Sequence, residues 1–140
     1  MYNILDVFGI KSKVKGPSLM YFHLKILKGF PLTMAERVQR LMRLSDAELA
    51  RALAISVSTL RRIKKERRRL SSNSSNRLYR LASVIALAVK VLESEEAARN
   101  WIIRPQPGLG GRKPLELIET YAGKEEVENL LGRMEHGVYS

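Results

Sequence analysis

From Leu19 onward, apolar residues recur at spacings of three and four, the period of a helix with one buried face, and strand-type alternation is scarce. The first such segment, Leu19–Lys28, closes on Gly29 and is followed by Pro31, the punctuation expected past a helix end. Thr33-Met34-Ala35-Glu36 and Ser45-Asp46-Ala47-Glu48 both have capping-box order, in which the hydroxyl accepts a free N–H and the glutamate accepts the cap's own N–H. A helix is predicted to open at each box, the second covering 46–54, with Ser56 capping another. Between 76 and 92, Leu78, Leu81, Ile85, Ala88 and Leu92 keep one stripe that Val84 and Val91 widen, which predicts a helix central to the core. The polar run at 71–76 reads as a turn plus N-cap before it. Ser94 caps a further helix with Glu95 and Glu96 in its first turn, where the helix dipole favours acids. A Pro/Gly bend at 105–111 precedes Pro114, suited to a first helical turn, and a last helix is predicted over 124–135. The reading is all-α: a poorly defined segment at 1–18, a helix-turn-helix part at 19–75 and a small helical domain at 76–140.

The helix-turn-helix reading rests on Leu49, Ala50, Leu53, Ile55, Leu60 and Ile63, the apolar pattern of two short helices crossing at a tight turn, with small Ala50 at the closest approach. Ala54 stands where such turns prefer glycine, because the chain there visits positive φ at a cost of about 1 kcal/mol for other residues. In this motif the first helix braces the second, whose N-terminal residues reach base edges while its flanks touch phosphates. Ser56, Ser58, Thr59, Arg61 and Arg62 fall at that end. A plain αα-hairpin is the competing structural reading.

Charge favours the nucleic-acid reading. The chain has 25 Lys+Arg against 14 Asp+Glu, a net +11. Residues 1–80 carry 18 basic and 5 acidic side chains, while 81–140 carry 7 and 9. A cationic half is thereby joined to a near-neutral half with a different partner. The stretch 61–69 contains seven basic residues and one acidic. A merely solvated helix face usually mixes signs to gain i,i+4 pairs, and like-charge repulsion left standing is relieved by a polyanion. Double-stranded DNA is the expected partner. Arg61 and Arg62 are assigned to base edges, guanine first, and Lys64, Lys65, Arg67, Arg68 and Arg69 to phosphates. Because such readers bind paired half-sites about 34 Å apart, a homodimer is expected.

Other classes are excluded. With no cysteine there is no disulfide scaffold, thiol nucleophile or cysteine zinc site, and His23 and His136 are isolated, so no metal or cofactor is expected. The longest apolar stretch, 81–89, is far short of the roughly 20 residues a bilayer span needs. No signal peptide is visible at the start, and a cytoplasmic location without membrane attachment is expected. The glycine-rich 108–114 lacks phosphate-loop order, and Glu116 with Glu119 reads as solvation, so no motif carries catalysis.

Trp101, the 107–111 bend before Pro114-Leu115-Glu116-Leu117, Thr120, Gly123, Val127 and the run from Leu130 through Gly132-Arg133-Met134-Glu135-His136-Gly137-Val138-Tyr139 occur in an order that resembles the Xre/MbcA/ParS-like toxin-binding domain of bacterial antitoxins. Together with the helix-turn-helix, the resemblance covers 29–140 and departs at Ala54 and in the long basic run. It implies a non-enzymatic type II antitoxin of the RES-Xre kind, which obstructs the active site of a RES-domain, NAD-depleting toxin and represses its own operon. The implied toxin-binding residues are Trp101, Arg133, Glu135, Gly137, Val138, Tyr139 and Ser140. A helix ending in a glycine exit and a terminal carboxylate suits an arginine-lined pocket; the competing reading of these residues is a frayed tail. The alternative for the whole chain is a stand-alone helix-turn-helix regulator whose second half dimerises or binds an effector.

Overall fold

The computed structural model describes residues 2–11 and 18–137, and over these the regular structure is helical: α1 (Ile4–Phe8), α2 (Leu19–Lys28), α3 (Leu32–Met42), α4 (Asp46–Leu53), α5 (Val57–Glu66), α6 (Ser72–Leu92), α7 (Glu95–Ile102), α8 (Pro114–Leu117) and α9 (Tyr121–Glu135). A 3-10 turn at Pro107–Leu109 and one antiparallel bridge, Gln106 to Arg112, shape the bend before α8. No described helix is long and apolar enough to cross a membrane.

Helix α6 is the axis. Leu78, Leu81, Ala82, Val84, Ile85 and Ala88 are fully buried, spread over more than one face, so α1, α2, α4, α7 and α9 can all pack against it. It begins at Ser72, four residues earlier than the stripe alone predicts, because the polar run is helix and not turn. Ser71 is the cap, accepting from Ser74 N–H at 3.1 Å. Ser74 and Ser75 are buried yet satisfied: Ser74 Oγ donates to the Leu53 carbonyl at 2.7 Å, and Ser75 Oγ accepts from Phe30 N–H at 2.8 Å. These two hydroxyls dock α6 onto the turn after α4 and the entry to α3.

Two other starts differ from expectation. Helix α3 opens at Leu32 behind Pro31 with no side-chain cap, so the Thr33 box does not form. Proline's fixed φ pre-sets the entry, Thr33 falls inside the first turn, and Glu36 turns outward to Arg67 at 3.2 Å. Helix α9 starts three residues early, where Thr120 Oγ1 accepts from Gly123 N–H at 2.9 Å. Gly123 is required there, since a Cβ would lie 2.0 Å from the Leu117 carbonyl oxygen. Ahead of α2, where no element is predicted, α1 seals the core with Ile4, Val7 and Phe8. Phe8 meets Phe22 and Phe30 at centroid separations of 5.9 and 5.4 Å.

Two arginines of α6 tie the basic half to the rest. Arg77 Nε donates to the Ala52 carbonyl at 2.8 Å and its Nη1 to that of Glu119 at 3.3 Å. Arg80 Nε reaches the Ile118 carbonyl at 2.8 Å. Both satisfy carbonyls that helix ends leave open, and α4 and α8 are thereby held against one helix.

Candidate functional site

The reading unit is built by local rules. Ser45 and Glu48 form the full capping box, with Glu48 N–H to Ser45 Oγ at 3.1 Å and Ser45 N–H to Glu48 Oε1 at 2.9 Å. Helix α4 ends at Leu53, and Ala54 takes the left-handed conformation at φ 60°, as the turn demands. Ser56 then caps α5, accepting from Thr59 N–H at 3.0 Å. Burial of Leu60 and Ile63 fixes the rotation of α5, leaving Ser58, Arg61, Arg62 and Lys65 exposed on its outer side with Ser56 at its start; Thr59 is half-buried.

The basic run is less uniform than the sequence implies. Lys64 Nζ donates to Asp46 Oδ1 at 2.8 Å and Gln39 Oε1 at 2.7 Å, so it braces α5 against α4 and α3. Those two contacts, Lys64 first and the Gln39 amide next, hold the Asp46 carboxyl below the usual carboxylate range. Arg67 pairs with Glu36, and Arg68 Nε lies 3.0 Å from Glu66. Arg69 donates to the Gly29 carbonyl at 3.0 Å. Arg61 is 71% exposed and 3.9 Å from Asp46, while Arg62 and Lys65 have no acidic group within 4.0 Å among the described residues. Within the 61–69 run, the uncompensated charge is therefore concentrated on the outer face of α5.

Later in the chain, α9 buries Val127, Leu130 and Leu131 against the core. Its last turn emerges: Arg133 and Met134 are half-buried, Glu135, His136 and Gly137 exposed, with Gly137 at φ 71°. Arg133 Nε is buried without a hydrogen-bond partner among the described residues, a state that costs about 1–3 kcal/mol. Val138, Tyr139 and Ser140 lie outside the described residues. Trp101 is on α7, half-buried against the core, its carbonyl accepting from Gln106 Nε2 at 2.9 Å. The structure joins Arg133, Glu135 and Gly137 in one tip and places Trp101 on a separate helix.

Two surfaces escape sequence reasoning. Tyr121 is 65% exposed at the start of α9, its phenol raised above the ordinary range by the hydrogen bond to Glu125. Its signal is an aromatic directly after the Thr120 cap. Helix α2 buries only Phe22 fully, and Leu19, Met20, Leu24 and Leu27 are more than half exposed. Of the large apolar side chains exposed among the described residues, all but Tyr121 lie on α2. The α6 stripe, by contrast, is spent inside the core at Leu78, Leu81, Ile85 and Ala88. No three potential metal ligands cluster among the described residues.

Comparison with known proteins separates the same two units. Residues 22–83 match the antitoxin Xre-like helix-turn-helix domain, and residues 87–137 match the antitoxin Xre/MbcA/ParS C-terminal toxin-binding domain. Antitoxin Xre of Yersinia enterocolitica is 34% identical over 116 residues, 82% of this chain and 78% of that protein. Antitoxin Xre of Photorhabdus laumondii is 28% identical over 114 residues, 81% and 77% of the two chains. The Prs ADP-ribosylating antitoxin of a Sphingobium species is 23% identical over 124 residues, 82% and 78%. A DNA-reading unit followed directly by a toxin-binding unit, in a chain this close to named antitoxins, excludes the stand-alone regulator: the chain belongs to the Xre family of type II antitoxins, non-enzymatic proteins with a helix-turn-helix for DNA and a C-terminal domain for a cognate toxin.

Proposed function

We propose that this antitoxin silences a RES-domain, NAD-depleting toxin by laying the tip of α9 over the toxin's active site, and that as a cytoplasmic homodimer it represses its own operon. The observation that carries the toxin half is the anchored helix with a bare end: Val127, Leu130 and Leu131 hold α9 while Glu135 and Gly137 project. Val138, Tyr139, Ser140 and Trp101 are assigned to the same toxin contact. A NAD-consuming partner is supported by the Sphingobium relative, whose name couples an antitoxin to ADP-ribosylation, a transfer that draws on NAD.

On DNA, Arg61 and Arg62 read base edges, Ser58 and Thr59 assist at the start of α5, and Ser56 positions them as the cap. Lys65 and Arg68 hold phosphates, with Arg67 and Arg69 beside them, while Lys64 fixes the angle of α5. The reader occupies 19–75 and the toxin-binding part 76–140. We assign the exposed face of α2 to the second copy of the dimer. It adjoins the reader, since Leu70 N–H donates to the Phe30 carbonyl at 2.9 Å and Arg69 grips Gly29. The test is co-expression with the adjacent open reading frame, then a NAD assay on the complex and on the toxin alone. The expected result is NAD loss by the free toxin only; equal loss in both overturns the proposal.

A further inference from the structure

The outer face of α3 carries Arg37, Arg40 and Arg43 at steps of three, which stacks them along one side of the helix and its exit. Facing them from α7 are Arg99 and Glu95, and between the two helices lies an open cleft of about 320 Å³. Arg99 Nε donates to the Leu41 carbonyl at 3.1 Å, which anchors that guanidinium and leaves its remaining N–H groups to the cleft. Glu95 is the one carboxylate in the lining, and its Oε2 already accepts from the Tyr2 hydroxyl at 3.0 Å. None of the four arginines has a salt-bridge partner among the described residues. Four arginines against the single Glu95 carboxylate leave the cleft with a net positive charge, which suits an anion.

Its place in the fold says which anion. Gln39, next to Arg40 on α3, contacts Asp46 and Lys64, so the helix that carries three of the cleft's arginines also touches α4 and α5. Asp46, three residues beyond Arg43, lies 3.9 Å from Arg61 on the outer face of α5. The α3–α4 corner therefore borders the surface assigned to DNA. We infer that Arg37, Arg40, Arg43 and Arg99 hold backbone phosphates of the duplex beyond the major-groove contact, widening the footprint of each protomer. This rests on the DNA reading above.

Arg43 also makes the inference testable without loss of fold. It caps α3 at φ 53°, a conformation glycine adopts at no steric cost, so Arg43→Gly removes the guanidinium while relieving the backbone. The experiment walks single uncharged methylphosphonate substitutions through both flanks of the operator and measures Kd for wild type, Arg43→Gly, the Arg40→Ala/Arg43→Gly pair and, as a control outside the cleft, Lys65→Ala. Wild type and Lys65→Ala are expected to lose about threefold to tenfold at one or two flanking phosphates, whereas the Arg43 variants lose nothing further there. For the double variant the slope of log K against log salt becomes shallower by about two, and the Tm of Arg43→Gly stays level or rises. Equal sensitivity of all four proteins to the flanking phosphates overturns the inference, as does insensitivity of wild type. So does a variant whose flank coupling is intact but whose toxin affinity falls, since the cleft then serves the protein partner. Failure of wild type to bind any duplex is a separate result that sinks the DNA reading, and the cleft with it.

Discussion

Helices α5 and α9 each bury one apolar stripe, Leu60 and Ile63 in one, Val127, Leu130 and Leu131 in the other, but α5 bares a side and α9 bares a tip. The difference matches two kinds of target. A row of exposed cations along a helix meets a polymer of regularly spaced charge that runs past it. A projecting end with a glycine exit meets a concave site that admits one short segment. The charge division agrees: 18 basic against 5 acidic residues over 1–80, and 7 against 9 afterwards. The two surfaces share α6 as support, through the Ser74 and Ser75 docks and the Arg77 and Arg80 clasp. They are joined in stability through that helix.

Ways to break that comparison run from complete loss to slight gain. Deleting the residues after Met134 is expected to abolish neutralisation in a growth-rescue assay and leave operator binding intact, since the described residues it removes, Glu135, His136 and Gly137, are exposed. Leu24→Glu with Leu27→Glu sets charges on the exposed face of α2 and is expected to yield monomers in sedimentation, with operator affinity lowered by at least about tenfold through lost bivalency. Arg61→Ala should cost about 1–3 kcal/mol on the operator and relax sequence preference, whereas Lys65→Ala weakens operator and random duplex alike, both read by titration against each DNA.

The remaining two predictions concern the frame of the reader. Lys64 and Gln39 depress the Asp46 pKa, so Asp46 contributes stability above its unfolded value near 4, and this is lost as pH falls through the lower folded value. The Tm advantage of wild type over Asp46→Asn should be full at neutral pH and vanish in strong acid. Ala54→Gly relieves the left-handed turn, and a gain of up to about 0.5–1 kcal/mol is expected by chemical denaturation.

Features set by adjacent residues were legible in the sequence. The Ser45 box, the Ala54 turn, the Ser56 cap and the Ser94 cap each depend on a few neighbouring positions, and all form. The Thr33 box failed because the same four-residue pattern cannot say where the helix begins; Pro31 starts it earlier. Helix α1 was invisible because five residues make no helix alone, and its anchor is the packing of Phe8 on Phe22 and Phe30. Lys64 looked like its neighbours because its partners, Asp46 and Gln39, precede it by 18 and 25 positions. On α2, helical period fixed the element but not which face the core would take, and its exposed stripe emerged only from the packing. The arginine cleft likewise joins α3 to a residue of α7 that no local pattern connects.

The division of labour is tested most directly by a crossed assay. An Arg61→Ala/Arg62→Ala variant and the chain ending at Met134 are each measured for operator binding and for suppression of NAD consumption by the reconstituted toxin. The account predicts that the arginine variant fails on DNA yet still suppresses NAD loss, and that the shortened chain does the reverse. Two variants that fail in both assays, or in neither, would contradict it.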